Sequence, residues 1–314
     1  MAHKLTETVE ELSEPSSLKG LFHQHKDGYP LPSSTALEDI IQLARAILFP
    51  GYFGKSQVNV KTIKYQIGVN VERLQKLLAE QILAGMCFAD NDDNTEKKPS
   101  ADTCILRDLE TLKKESKEMA TELISRLPAV RRILATDVVA AYNGDPAATS
   151  IAEILACYPV IKTLTIFRVA HELFTMGVPL IPRMMTEIAH SETGMDIHPG
   201  ATIGPSFTID HGTGVVIGET CIIGKNVKLY QGVTLGAMSP AGMHHSAETP
   251  ARRHPKIGSD VTIYAGATLL GGATEVGDNV VIGGNAFLTE SVESDTKVSI
   301  KKPEMTFRVK GGRF

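Results

Sequence analysis

Two short stretches of the chain hold histidine and aspartate close together: Asp196-Ile197-His198-Pro199 and Asp210-His211-Gly212-Thr213-Gly214. A histidine with a carboxylate nearby is the minimum equipment for general-base catalysis. The carboxylate fixes the imidazole tautomer and stabilises the imidazolium, while the free ring nitrogen removes a proton. His211 is the candidate base, because the glycines after it let the chain bulge and aim the ring outward. Further on, Arg252-Arg253-His254 adds guanidinium groups, whose planar forks suit a carboxylate ligand. Taken singly, His211 reads as a surface histidine at a turn. What tips the reading toward a site is a long break in the chain's repeat just before Arg253.

That repeat is the element that must hold these residues. A small aliphatic residue recurs every sixth position through Ile197, Ile203 and Ile209, then Ile217, Ile223, Leu229 and Leu235, then Ile257, Ile263 and Leu269, then Val276, Ile282 and Leu288. A short fixed period of this kind marks a parallel β-helix of hexapeptide turns, in which six residues form one flat side of a triangular coil. Ordinary strands at turn spacing would not keep thirteen positions in register with two small slips and one interruption. The first slip falls at His211. The interruption, Gly236 to Lys256, is a long loop whose far end, Arg253-His254, is anchored where the coil resumes. Its remainder, with His244 and His245, reads either as a mobile lid or as a segment with a chemical role. The interior of such a coil is filled by aliphatic side chains, so its chemistry has to sit on outward corners and loops. The repeat fixes the fold and leaves the reaction open.

Upstream the period changes to that of helices. Thr35 with Glu38 forms a capping-box pattern before Leu37, Ile40, Ile41, Ala44, Ile47 and Leu48, and Val71, Leu74, Leu78 and Ile82 mark a second helix. Asp90 to Thr103 reads as a solvated, structure-poor loop. Helices resume from Leu109 to Leu127 and, beyond Pro128, from Val130 to Ala141. Ser150 with Glu153 caps another, and the last runs from about Pro182 to Ser191, with Gly194 releasing the chain into the repeat. The expected class is α+β: an all-helical amino-terminal domain (1–194, its first 34 residues polar and loosely wrapped or mobile), a left-handed parallel β-helix (195–292, with the loop 236–256) and a short tail (293–314). With 314 residues, two folding units are the natural division. A net charge of -4 with no basic stripe argues against a nucleic-acid partner. Cys87, Cys104, Cys157 and Cys221 are scattered without CxxC spacing, as reduced thiols are. No apolar stretch reaches membrane-spanning length, and the amino terminus has no apolar leader, so a cytoplasmic protein is expected.

The blocks Asp145-Pro146-Ala147, Met195-Asp196-Ile197-His198-Pro199, Asp210-His211-Gly212-Thr213-Gly214, Gly218-Glu219-Thr220 and Arg253-His254-Pro255-Lys256-Ile257 together closely resemble the serine O-acetyltransferase family, in order, over about residues 129–291. The resemblance implies direct transfer of acetyl from acetyl-CoA to the hydroxyl of L-serine, the first step of cysteine synthesis, without an acyl-enzyme. By the same resemblance His211 is the general base and Asp196 its orienting partner. Asp145 and Asp210 hold the substrate ammonium, and Arg253 and His254 its carboxylate. Acetyl-CoA lies along the β-helix wall between neighbouring subunits, with Gly236, Ala237 and Ala265 as contacts because small residues admit a pantetheine arm. No metal is expected. L-cysteine, nearly isosteric with serine, is expected as a feedback inhibitor, and a homotrimer or a hexamer as the assembly. His254 is also placed to donate a hydrogen bond to a developing oxyanion.

Three features depart from the family's pattern. Many members have Gly-Gly where this chain has Gly236-Ala237, and Asp-Arg-His where it has Arg252-Arg253-His254. Members that join O-acetylserine sulfhydrylase do so through a long tail ending in isoleucine. The tail here is short and ends in Phe314, so that partnership does not follow from the resemblance. Rival readings on the same fold are an acetyltransferase for a sugar hydroxyl, a zinc hydratase using His198, His211 and His254, and a scaffold without activity. The first has no need of Asp145, Asp210 and Arg253 together, the second wants three neutral imidazoles around zinc, and the outward charged cluster counts against the third.

Overall fold

The computed structural model describes residues 2–14, 30–54, 59, 61–92, 108–238 and 252–301, and among these seven helices precede fourteen short strands. One side of the coil is built from β1 (Asp196–Ile197), β4 (Val216–Ile217), β7 (Thr234–Gly236), β10 (Thr268–Leu270) and β13 (Phe287–Leu288). A second is built from β2 (Thr202–Ile203), β5 (Ile222–Ile223), β8 (Lys256–Ile257) and β11 (Glu275–Val276). The third holds β3 (Thr208–Asp210), β6 (Lys228–Tyr230), β9 (Thr262–Ile263), β12 (Val281–Ile282) and β14 (Lys297–Val298). All pairings within these sheets are parallel, as a solenoid requires.

The six-residue period becomes three inner columns. Ile197, Ile217, Leu235, Leu269 and Leu288 lie in register on the first side. Ile203, Ile223, Ile257 and Val276 follow on the second, and Ile209, Leu229, Ile263 and Ile282 on the third. All but Leu288 are buried. Smaller inward residues such as Ala201, Cys221, Val227 and Ala267 fill the corners. Burial raises the Cys221 thiol to about 12, which makes it a packing group. One corner turns on a left-handed residue in each coil: Ser206, Asn226, Asp260, Asn279 and Asp295 all have φ between 55° and 62°. Short polar side chains tolerate that region best, and they stack as hydrogen-bonded pairs, Asn226 on Asp260 and Asn279 on Asp295.

The helical half differs in detail from its sequence reading. Helix α1 (Ala2–Ser13) occupies part of the stretch expected to be loose. Helix α2 (Ser34–Leu48) is capped by Ser33, whose hydroxyl accepts from the Ala36 amide at 3.3 Å, two residues ahead of the Thr35–Glu38 pattern. Helix α3 (Ile63–Asp92) runs into the expected loop at Asp90, and residues 93–107 lie outside the described ones. Helix α4 (Leu109–Gly144) continues unbroken through Pro128, where two helices were expected. An interior proline costs about 3 kcal/mol, but the buried stripe Leu123, Leu127, Val130, Leu134, Val138 and Ala141 is unbroken across it, and that packing outweighs the lost backbone bond. Helix α5 (Ile151–Cys157) keeps the predicted Ser150 cap, α6 (Pro159–Thr175) follows, and α7 (Ile181–Thr193) ends at left-handed Gly194. Among the described residues no helix is long and apolar enough to cross a membrane.

The first coil has no coil beneath it, so its outer backbone groups need other partners. Helices α4 and α6 supply them. Asp137 accepts from the Phe207 amide at 2.9 Å and Thr136 from the Ser206 amide at 2.8 Å. Arg168 donates to the carbonyls of Ile203 and Gly204, and pairs with Asp137 through both nitrogens at 3.1 and 3.2 Å. Burial pushes the Asp137 carboxyl up to about 6, while the guanidinium and the amides pull the other way. Asp137→Ala, which leaves the guanidinium buried and unpaired, should cost about 3–5 kcal/mol of stability. The double change Asp137→Leu with Arg168→Met should recover little, since the edge amide and carbonyls would still lack partners. Denaturant titration checks both; a double variant as stable as the wild type would refute this account of the edge.

Candidate active site

The candidate residues gather in two clusters on the outside of the coil. The first lies where α4 ends against β3 and β6. Asp145, the residue after α4, accepts from the Tyr158 hydroxyl at 2.5 Å and from the Ala147 amide at 2.8 Å. These donors, Tyr158 first, hold its carboxyl below the usual aspartate value, and the carboxylate in turn pushes the Tyr158 phenol up to about 12. Asp210, at the end of β3, pairs with the Lys228 ammonium at 3.0 Å, and its other oxygen lies 3.8 Å from His211 Nε2. His211 has φ 60°, followed by Gly212 at 87° and Gly214 at 79°, so the bulge expected from the slip is present. The φ of Gly212 favours glycine, and a Cβ there would also fall 2.6 Å from the Met195 sulfur and force that side chain to shift. The strained corner lifts the imidazole into solvent, with 74% of its side chain exposed.

The second cluster spans the end of the first side and the corner after it. Asp196 accepts from Arg183 of α7 at 3.2 Å. His198 Nδ1 accepts from the Gly200 amide at 3.0 Å, and His254 Nδ1 from the Thr220 amide at 3.1 Å. The Thr220 hydroxyl accepts from the amides of both Arg253 and His254 and thereby fixes the loop's end. With Nδ1 engaged as an acceptor, each neutral imidazole carries its proton on Nε2. Burial pushes both imidazoles below their ordinary value; at His254 the Arg253 charge adds to it, whereas at His198 Glu219 opposes. Arg253 pairs with Glu219 at 2.7 Å, and its Nε is buried without a hydrogen-bond partner among the described residues. His254 lies across Gly218, where a Cβ would come within 2.0 Å of the ring.

The structure thus joins Asp145, Asp210 and His211 in one place, and Arg253 and His254 with His198 and Asp196 in another. Within one chain no ion pair or hydrogen bond links Asp196 to His211; Asp210 is the carboxylate beside that imidazole. The reason is geometric. Asp196 flanks inward-facing Ile197 on the first side, where Arg183 takes it, whereas His211 is turned off the corner before that side begins. Gly236 and Ala237 close β7, and Ala265 precedes β10 on the same side. The middle of the long loop, 239–251 with His244 and His245, lies outside the described residues. Among the described residues the one group of three or more side chains with metal-ligand spacing is Glu187, His190 and Asp196, none of the three proposed zinc histidines, and Arg183 already pairs with two of its carboxylates. Lys228 and Tyr158 went unread in the sequence. An outward lysine in a strand and a tyrosine before a proline are ordinary there, and only the fold brings them to the two aspartates. Chemically, the first cluster sets two carboxylates and a lysine beside an exposed imidazole, and the second sets two imidazoles and a guanidinium beside Glu219 and Asp196.

No family model matches the chain. It is 46% identical over 272 residues to the plasmid serine acetyltransferase of Synechococcus elongatus, covering 86% of this chain and 82% of that one. The chain belongs to the serine acetyltransferase family. Among solved structures, serine acetyltransferase isoform 3 of Entamoeba histolytica in complex with cysteine is 32% identical, with a TM-score of 0.68, covering 98% of this chain and 96% of that one. Serine acetyltransferase 1 of the same organism, in complex with L-cysteine, is 33% identical, with a TM-score of 0.69 and coverage of 95% and 96%. Serine acetyltransferases are acyltransferases whose cosubstrate is acetyl-CoA, and the left-handed β-helix is their fold.

The lowered His254 value makes a prediction for this member of the family. An unfolded chain protonates His254 at its ordinary 6.5, the folded chain only at lower pH. The stabilisation is therefore complete above pH 6.5 and is lost as pH falls through the folded value. Between neutral pH and about pH 5, Tm of the wild type should fall further than that of His254→Gln. Parallel curves would mean that this imidazole titrates freely.

Proposed function

We propose that the protein transfers the acetyl group of acetyl-CoA directly to the hydroxyl of L-serine, giving O-acetyl-L-serine and CoA. The observation that carries this reading is the split of charge between the two clusters: carboxylates with a base in one, a guanidinium with imidazole donors in the other. A zwitterion with a hydroxyl between its charges is the ligand that uses both. The cleft among Gly144, Asp145, Tyr158, Asp210 and Lys228 has a volume of only about 10 Å³, so a single chain does not enclose an amino acid there. The clusters complement each other if the coil trimerises about a parallel axis, bringing the His211 corner of one subunit against the Arg253 corner of the next. A hexamer formed by two such trimers keeps the same arrangement.

In that assembly Asp145 and Asp210 hold the serine ammonium, while Arg253 and His254 of the neighbouring subunit hold the carboxylate. His211 takes the hydroxyl proton as the oxygen attacks the thioester carbonyl, and Asp196 of the neighbouring subunit orients the ring. The Nε2–H of His254 also faces the developing oxyanion. Collapse expels the CoA thiolate, which takes up the proton from the His211 imidazolium, so no acyl-enzyme forms. Gly236, Ala237 and Ala265 line the path for the pantetheine arm. L-cysteine, with a thiol in place of the hydroxyl, fits the same charges and acts as an inhibitor; the two Entamoeba relatives were solved in complex with cysteine. Among the described residues Cys157 and Cys221 form no disulfide, which suits a cytoplasmic enzyme.

Thiol release from acetyl-CoA, measured with L-serine beside homoserine and a panel of sugars, tests the substrate; turnover of a sugar and not of serine refutes it. His211→Ala should lower kcat by about 10²–10⁴-fold. Co-expression tests the shared site. Mixed trimers of His211→Ala and Arg253→Ala chains should recover about a quarter of the wild-type sites, those at which an intact His211 from one chain meets an intact Arg253 from the other. Complete inactivity of the mixture would mean that each site is built within one chain.

A further inference from the structure

Lys228 has no part in the mechanism above, yet it touches both halves of the ammonium seat. Its ammonium lies 3.0 Å from Asp210 Oδ2 and donates at 2.5 Å to the carbonyl of Gly144, the residue next to Asp145. That carbonyl ends α4, where the last turn has no intrahelical donors and the helix dipole favours a cation. The Asp145 carboxylate accepts, among the described residues, from Tyr158 and Ala147. Lys228 is therefore the polar link, among the described residues, between the end of α4 and the carboxylate on β3. The side chain is held on a third side as well, with Nζ 4.4 Å from the centre of the Tyr230 ring, which stacks on Tyr264 at 4.9 Å. A lysine fixed in three directions and mostly buried is a brace, not a cation waiting to be displaced.

We propose that Lys228 is a positioning residue for the amino-acid substrate: it sets the spacing of Asp145 and Asp210 and cancels one of their two charges, so that the pair accepts a single ammonium. The inference rests on the serine-acetylating reading. Asp210 keeps one oxygen on Lys228 and the other toward the substrate and His211. Asp145 is carried into place by the helix end that the same ammonium anchors. Selection acts on the ammonium alone, since Lys228 contacts none of the residues assigned to the carboxylate or to acetyl-CoA.

The test uses the full-length assembled enzyme as wild type, Lys228→Met, Lys228→Gln and Lys228→Arg, with melting and light scattering to compare assemblies. Lys228→Met should raise KM for L-serine about tenfold, the effect of losing a charge-assisted bond, with kcat changed by less than about threefold and KM for acetyl-CoA unchanged. Lys228→Arg, which keeps the charge, should restore most of the loss. Glycerate, which has the carboxylate and hydroxyl without the ammonium, should inhibit wild type and Lys228→Met equally. If Lys228→Met does not assemble, Lys228→Gln, which retains a donor for Gly144, carries the same expectation. Unchanged serine KM, a lowered serine KM, or equal rises for serine and acetyl-CoA would each overturn the assignment while wild-type serine turnover stands. A wild type that acetylates a sugar and not serine overturns the ammonium seat itself, and Lys228's role with it.

Discussion

The buried contact between Asp137 and Arg168 is the constraint on which the rest of the molecule depends. A solenoid has two open ends, and an open end is a row of backbone groups seeking partners. Here the row nearest the helices is satisfied by an ion pair that sits in α4 and α6 and reaches the carbonyls of Ile203 and Gly204 and the amide of Phe207. His171 adds a contact to the Pro199 carbonyl. The helical part is thus fitted to the coil by hydrogen-bond geometry, which sets direction as apolar packing alone would not. The end of α4, and with it Asp145, is aimed at β3 and β6 as a result.

From that alignment follows the division of charge. Asp145 and Asp210 stand where a helix end meets the third side of the coil, and Arg253 with His254 where the chain re-enters the coil, each with a counter-charge beside it. Each group is internally neutralised to a degree, Asp210 by Lys228 and Arg253 by Glu219, so neither leaves a naked charge in a half-buried setting. The incomplete neutralisation is what gives each cluster its preference for one end of a zwitterion.

The coil was legible because its inner column allows few residue types and repeats them; Ile197 to Leu288 stand where the period puts them. The bulge at His211 was legible for the same reason, as a slip against a regular background. The seam was not. Asp137 occupies a position in the apolar stripe of α4 and Arg168 one in α6, and a charged residue at a core position signals a partner without naming it. The grouping of Asp145 with Asp210 came from resemblance alone, since sixty-odd residues separate them. Lys228 was hidden because the outer face of a strand accepts lysine anywhere. Pro128 misled because the local penalty of a proline is visible in sequence, and the tertiary burial that exceeds it is not.

The long excursion after Gly236 leaves the register of the ladder intact. Leu235 stands in register with Leu269 as Ile217 does with Leu235, although the chain between them is much longer. Closing a longer loop adds only about 0.6 kcal/mol per doubling of its length. Insertions at this corner are therefore nearly free of consequence for the prism, and the loop's sequence can diverge while the walls are inherited intact. A protein built this way separates two kinds of change: one in the columns, which is punished at once, and one at the corners, where new specificity can be tried without refolding the rest.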